Sequence, residues 1–109
     1  MTATLVTRQE GATAPLPPGR ASALLLQRGT MTLRWYAPKG SDTQTPHDQD
    51  ELYIVVSGTG FFVRGTERVA FAPHDVLFAA AGETHRFEDF SPDFATWVVF
   101  YGAAGGESP

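Results

Sequence analysis

Residues 45–58 read TPHDQDELYIVVSG, and the junction inside this stretch decides how the rest of the chain is read. A polar segment led by Pro46 gives way at once to Leu52–Val56, where every side chain is apolar or aromatic. β-Branched residues follow too closely for a helix, and a short run apolar on both faces predicts a strand covered on both sides. His47 and Glu51 stand four residues apart across this junction. In a fully extended strand they would lie about 13 Å apart, at about 3.3 Å per residue, too far to share an ion. Joint action therefore requires a bend between them, and the Asp48-Gln49-Asp50 segment after Pro46 is a place for one.

Outward from this strand the same punctuation repeats. ALLLQ runs into Gly29, TMTLRWYA into Pro38 and Gly40, GFFVR into Gly65 and ERVAFA into Pro73. VLFAA ends near Gly82, HRFEDF meets Ser91-Pro92, and FATWVVFY ends at Gly102. With ELYIVVS these make eight short β-type runs bounded by turn residues, the pattern of an all-β sandwich or barrel. No long segment keeps an apolar stripe at helical spacing. In TMTLRWY, Met31, Leu33 and Trp35 share one strand face while Thr32, Arg34 and Tyr36 share the other. A strand apolar on both sides then predicts a lumen on one side and a second covered surface, such as a homodimer interface, on the other.

The remaining segments read differently. Residues 1–21, with ATAPLPPGR, are expected to form an extended N-terminal arm, since Pro-Pro resists helix and central strand alike. Leu5 and Val6 in that arm offer an edge pairing or a contact with a partner subunit. Residues 22–102 form the barrel domain, and 103–109 (AAGGESP) a flexible tail.

Composition narrows the function. The 109 residues allow one domain. With 42% hydrophobic residues, among them eight Phe, three Tyr and two Trp, the chain is expected to fold. Net charge is −4, and no cluster of Lys and Arg faces a phosphate backbone, which sets nucleic-acid binding aside. The absence of cysteine excludes disulfide scaffolds and thiolate zinc sites, so any metal must be held by nitrogen and oxygen. The apolar runs are too short to span a bilayer as helices, no secretory signal pattern opens the sequence, and the expected location is cytoplasmic.

Two stretches carry a resemblance to a known family. The first cupin motif is a Gly, a His-x-His pair, three or four residues, Glu, six residues and Gly. Here Glu51, six residues and Gly58 match its ending, and His47 stands at the second histidine. The second motif opens on Gly-Asp and closes on Gly, two residues, His, three residues and Asn. HDVLFAAAGETHRFED (74–89) resembles it through Asp75, Gly82 and His85. The resemblance covers about residues 30–100 and implies a small cupin (jelly-roll) β-barrel holding one divalent metal through His47, Glu51 and His85. The sequence departs from the pattern at Thr45, which replaces the first histidine, and at His74, Ala80 and Asp89. Thr45, Gln49 or a water is left to fill the fourth ligand position.

Two imidazoles and a carboxylate suit non-haem Fe(II), and would also accept Mn, Ni, Co or Zn. Glu51 opens an otherwise apolar strand, where an unpaired carboxylate is costly, so a metal or an arginine must neutralise it. His74, in a Pro-His-Asp turn, reads as structural, because histidine tolerates unusual φ there. Strand alternation puts Tyr53 on the face of Glu51 and Phe87 on the face of His85, marking both as pocket wall. Arg34 and Tyr36 are further pocket candidates, and Tyr53 is the candidate catalytic proton carrier. Two readings of function follow. One is a metal-dependent oxygenase or isomerase acting on a small organic molecule; the other is a non-catalytic module that binds a small molecule or a metal.

Overall fold

A computed structural model describes residues 3–109. All eight expected runs are strands: β1 (Ala23–Arg28), β2 (Met31–Tyr36), β3 (Asp50–Ser57), β4 (Gly60–Arg64), β5 (Glu67–Phe71), β6 (Val76–Ala79), β7 (His85–Glu88) and β8 (Ala95–Tyr101). They form two antiparallel sheets, one ordered β1-β2-β8-β3-β6 and the other β5-β4-β7. The sheets close around one aromatic core in which Tyr36, Tyr53, Phe62, Phe71, Phe87 and Phe94 are buried. The fold is the small all-β barrel that the strand pattern predicted.

Register across the larger sheet fixes what faces the lumen. Thr32 pairs with Phe100 and Phe100 with Glu51; Arg34 pairs with Val98 and Val98 with Tyr53; Tyr36 pairs with Thr96 and Thr96 with Val55. Directly opposed residues share a face, so these three rows are one continuous inner surface. On the other face, Trp35 and Trp97 meet edge to face with centroids 4.8 Å apart, beside Ala23 and Ala95.

The covered outer surface expected from the sequence is made in part by the chain's own N-terminus. The arm expected over 1–21 is not extended throughout; Met1 and Thr2 lie outside the described residues. Arg8–Thr13 form a six-residue helix, α1. Thr7 accepts from the Glu10 N–H while the Glu10 carboxylate accepts from the Thr7 N–H, a reciprocal cap that satisfies two otherwise orphaned donors. A Cβ on Gly11 would sit 2.5 Å from Trp35 Cε3 and 2.7 Å from Trp97 Cη2, so only glycine lets α1 lie flat on the indoles. Leu5 and Val6 join no strand, and Leu5 is exposed.

The tail expected to be free over 103–109 is tied down in its middle. Gly105 donates its N–H to the Asp48 carbonyl at 2.6 Å, and Glu107 donates to Asp50 Oδ2 at 2.9 Å. Asp50 Oδ1 in turn accepts from the Ala81 N–H at 2.9 Å, so one carboxylate at the start of β3 joins the tail to the turn between β6 and β7. These backbone bonds hold the carboxyl of Asp50 below its usual pKa. No helix among the described residues is long and apolar enough to cross a membrane.

Candidate metal centre

The chain bends at Asp48 and Gln49, immediately before β3, as the His47–Glu51 spacing required. The bend brings His47 Nδ1 to 3.5 Å from Glu51 Oε2. From β7, His85 Nε2 reaches Glu51 Oε1 in direct contact. One backbone bond fastens the two histidine-bearing segments together: Gly82 donates its N–H to the His47 carbonyl at 2.7 Å. Gly82 takes a φ of 77° in the turn before β7, a left-handed conformation that favours glycine.

The donors fit a metal ion. One ligand atom from each of His47, Glu51 and His85 lies within 4.8 Å of the other two. Ligand bonds of about 2.1 Å place neighbouring donors on one ion a little over 3 Å apart, close to the His47–Glu51 separation. Both Glu51 oxygens and His47 Nδ1 are buried and lack an aligned hydrogen-bond partner among the described residues. Such groups are expensive unless something else occupies their lone pairs. His85 is oriented for ligation as well. Its Nδ1 lies 2.8 Å from the Glu83 carbonyl, which selects the tautomer with the proton on Nδ1 and leaves Nε2 free toward Glu51.

Without an ion the triad holds itself by charge. Burial pushes Glu51 up, but the two imidazoles at its oxygens outweigh burial and hold it below its ordinary value. Burial pushes His85 down, and Glu51 with the Glu83 carbonyl brings it above its ordinary value. His85 and Glu51 thus favour each other's charged forms at the contact where a metal would bind.

Tyr53, 1% exposed, completes this end of the lumen. Its oxygen lies 3.1 Å from His85 Nε2, and its hydroxyl donates to Gln44 Oε1 at 3.2 Å. Gln44 Nε2 donates to Asp42 Oδ2 at 2.7 Å, and Asp42 also accepts from the Phe87 N–H at 2.8 Å and from the Tyr36 hydroxyl. Burial and the Glu51 charge hold Tyr53 well above its ordinary value, and burial with Asp42 does the same for Tyr36, so both phenols stay protonated. Tyr53 is thus a donor with a fixed direction, not a free base.

The other sequence candidates divide. Gln49 faces away, its amide donating to the carbonyls of Thr30 at 3.0 Å and Gly102 at 2.9 Å, which anchors the bend but removes it from the ligand set. Thr45 is exposed on the rim. Phe87 lies behind Tyr53, ring centroids 4.9 Å apart, and packs in the core instead of walling the pocket. His74 sits exposed in its turn with φ 76° and donates its N–H to the Val55 carbonyl at 2.8 Å, a structural position. Tyr36 joins His47 and Tyr53 around a small inner cavity of about 40 Å³. Arg34 lines a wider groove of about 510 Å³ that opens from His47 to solvent. Asp42, Gln44 and Phe100, the last edge-on to His47 at 4.8 Å, are not among the residues that the sequence singled out for the site.

The family model described as Cupin domain matches residues 32–101. An uncharacterized protein of Streptomyces coelicolor is 42% identical over 60 residues, 55% of this chain, and the match takes in 57% of that relative's length. A solved structure from Rhizobium leguminosarum, of unknown function, superposes with a TM-score of 0.75 at 22% identity, covering 94% of this chain and 100% of its own. A Ralstonia eutropha protein provisionally named a mannose-6-phosphate isomerase superposes with a TM-score of 0.66 at 25% identity, covering 84% of this chain and 94% of its own.

Proposed function

The chain belongs to the cupin family, and from that premise we propose that it is a metal-dependent cupin acting on a small organic molecule, with His47, Glu51 and His85 as the ligands of one divalent ion. The observation that carries this reading is the buried Glu51 carboxylate, 1% exposed, whose two oxygens have no aligned partner while two imidazoles converge on it. The ion (Fe, Mn, Ni, Co or Zn) would supply Lewis-acid or redox chemistry to an oxygen donor of the substrate.

The protein's own residues have separable tasks. Glu51 brings the charge that holds the ion, and the Glu83 carbonyl keeps the His85 ring turned toward it. The Gln44–Asp42 pair holds the Tyr53 hydroxyl, whose oxygen lies beside His85 Nε2 and which is the candidate catalytic group. The core behind it, Phe62, Phe71 and Phe87, excludes water from that side. Isomerase and oxygenase chemistry both suit such a site. The provisional name of the Ralstonia protein supports the former, and the two-histidine, one-carboxylate donor set the latter.

A second reading, a module that binds without turnover, is favoured by the short donor set: Thr45, where the family has its first histidine, is exposed at the rim. Elemental analysis of purified protein, then oxygen uptake and product analysis with a panel of diols and enols, separates the two. Stoichiometric metal with turnover supports the enzyme; tight ligand retention without turnover supports the module. Absence of metal after reconstitution with each candidate ion ends the metal-dependent enzyme and leaves only a module that binds a small molecule.

The proposal includes a cytoplasmic setting, checked by cell fractionation, and a homodimer. Ile54 (39% exposed), Val76 (59%) and Phe78 (39%) leave the β3–β6 side of the outer face open to a second copy. Light scattering that finds a monomer at micromolar concentration removes the dimer.

A further inference from the structure

The barrel mouth carries two arginines that form no ion pair among the described residues. Arg64, Arg68 and Arg86 each meet a carboxylate at 3.0 Å or less. Arg34 and Arg20 make no ion pair and no side-chain hydrogen bond among the described residues, yet both line the groove that leads to His47. Each has been placed there by local structure. Arg34 projects from the inner face of β2, in the row Arg34–Val98–Tyr53, so two strand spacings, about 10 Å, separate its backbone from that of Tyr53. Arg20 follows Pro17-Pro18-Gly19, and its N–H donates to the Pro17 carbonyl at 3.1 Å. Proline at the second position and Gly19 at φ 79° in the third match a type II turn, which sets Arg20 on the same groove as Arg34. Ser22 and Thr32 add hydroxyls to the same wall.

Two like charges on one groove, neither paired with a carboxylate, are unfavourable to the protein alone. Burial and the Arg20 charge hold Arg34 below its usual value. Asp48 lies on the same groove but pairs with neither. An arrangement that disfavours the empty protein and presents planar donors to a groove is one that an incoming anion relieves.

We propose that Arg34 and Arg20 form an oxyanion site at the mouth of the barrel, so that the molecule bound there carries a carboxylate or phosphate group at the end remote from His47, Glu51 and His85. The orientation, though not the anion site itself, rests on the metal reading above. A ligand spanning the groove would be gripped by charge at the rim and presented by its other end to Tyr53 and the donor triad.

Inorganic phosphate and succinate, titrated into chelator-treated protein, test this with no ion available to bind either probe. Binding is read by calorimetry and by the Arg Nε–Hε resonances, and then repeated with one equivalent of Zn²⁺. The expected result is movement of the Arg34 resonance with both probes, a loss of affinity of about tenfold in Arg34→Gln and less in Arg20→Gln, and weakening by added salt. Arg34→Lys keeps the charge but not the fork and should fall between, which guards against misfolding of the glutamine variant. The tighter of the two probes identifies the phosphate or the carboxylate as the anion. Equal binding by wild type and both glutamine variants, or an Arg34 resonance unmoved by tens of millimolar of either probe, overturns the proposal. The metal content of the wild type is measured separately. Its absence alongside Arg34-dependent anion binding sinks the metal reading and leaves the anion site standing.

Discussion

The two faces of the five-stranded sheet invert the usual placement of polarity. Toward the lumen, the rows built on Thr32, Arg34 and Tyr36 end in Glu51, Tyr53 and Val55, placing a carboxylate and two phenols among the buried residues. Away from the lumen, Trp35, Trp97, Ile54, Val76 and Phe78 put large apolar groups on the side that faces out. A chain that needed only stability would do the reverse, since buried charge is costly and apolar surface is best removed from water. The inner face therefore reports function, and the outer face reports what must cover it. α1 covers the tryptophan end, and the β3–β6 end is left open.

The largest effect separating these faces should come from His85→Ala. With no imidazole on Oε1, Glu51 is left as a buried carboxylate short of its main partner. We expect metal-free stability to fall by about 3 kcal/mol in urea melts, and bound metal to be lost entirely. Glu51→Gln sharpens the test, because it abolishes metal binding while removing the buried charge, so its metal-free stability should fall less. If metal content and melting temperature are the same in His85→Ala as in wild type, the inner face holds no ion.

A smaller loss is expected on the outer face. Gly11→Val drives side-chain atoms into both indole rings and should lift α1 from the sheet, a strain of about 1–3 kcal/mol. Tryptophan emission should shift to the red, since Trp35 and Trp97 are the two tryptophans of the chain. Metal stoichiometry should not change, because no donor touches the helix. An unchanged melting temperature and emission would mean that α1 is not docked, and that the tryptophan end needs another cover.

The same contrast governs what the sequence could reveal. Inner-face chemistry was legible where a local rule was violated: Glu51 opening an apolar strand, and His47 four residues before it with a polar bend between. Strand identity was legible because Gly or Pro punctuates almost every run. The outer cover was not, because α1 has no apolar stripe and a single glycine makes its contact. The Thr7–Glu10 capping pair and the Pro17-Pro18-Gly19 turn lie inside the stretch expected to be extended, where Pro-Pro outweighed the local helix-start and turn signals. The docking of Gly105 and Glu107 onto the Asp48–Asp50 bend, and the Tyr36–Asp42–Gln44–Tyr53 chain, depend on pairings between segments far apart or on side-chain direction. No residue spacing announces them.

The smallest effect, and the one that best ties stability to the inner face, is in pH. His85 is raised above its ordinary value of 6.5 in the metal-free protein, so its contribution is complete below 6.5 and is lost as pH rises through the higher folded value. Glu51 is lowered below 4.5, so its contribution is present above 4.5 and is lost as pH falls through the lower folded value. The pair thus supports the metal-free fold best between these two ordinary values and less as pH climbs above neutrality, by at most about 1.4 kcal/mol per pH unit for one proton. Metal binding demands the opposite, because the ion displaces the proton from His85 and its affinity rises over the same range. Melting temperatures from pH 6 to 8 should therefore decline without metal and hold or rise with it, relative in each case to His85→Asn. Parallel curves would show that proton and metal do not compete for one imidazole, and the chemistry would have to be moved off the His85–Glu51 contact.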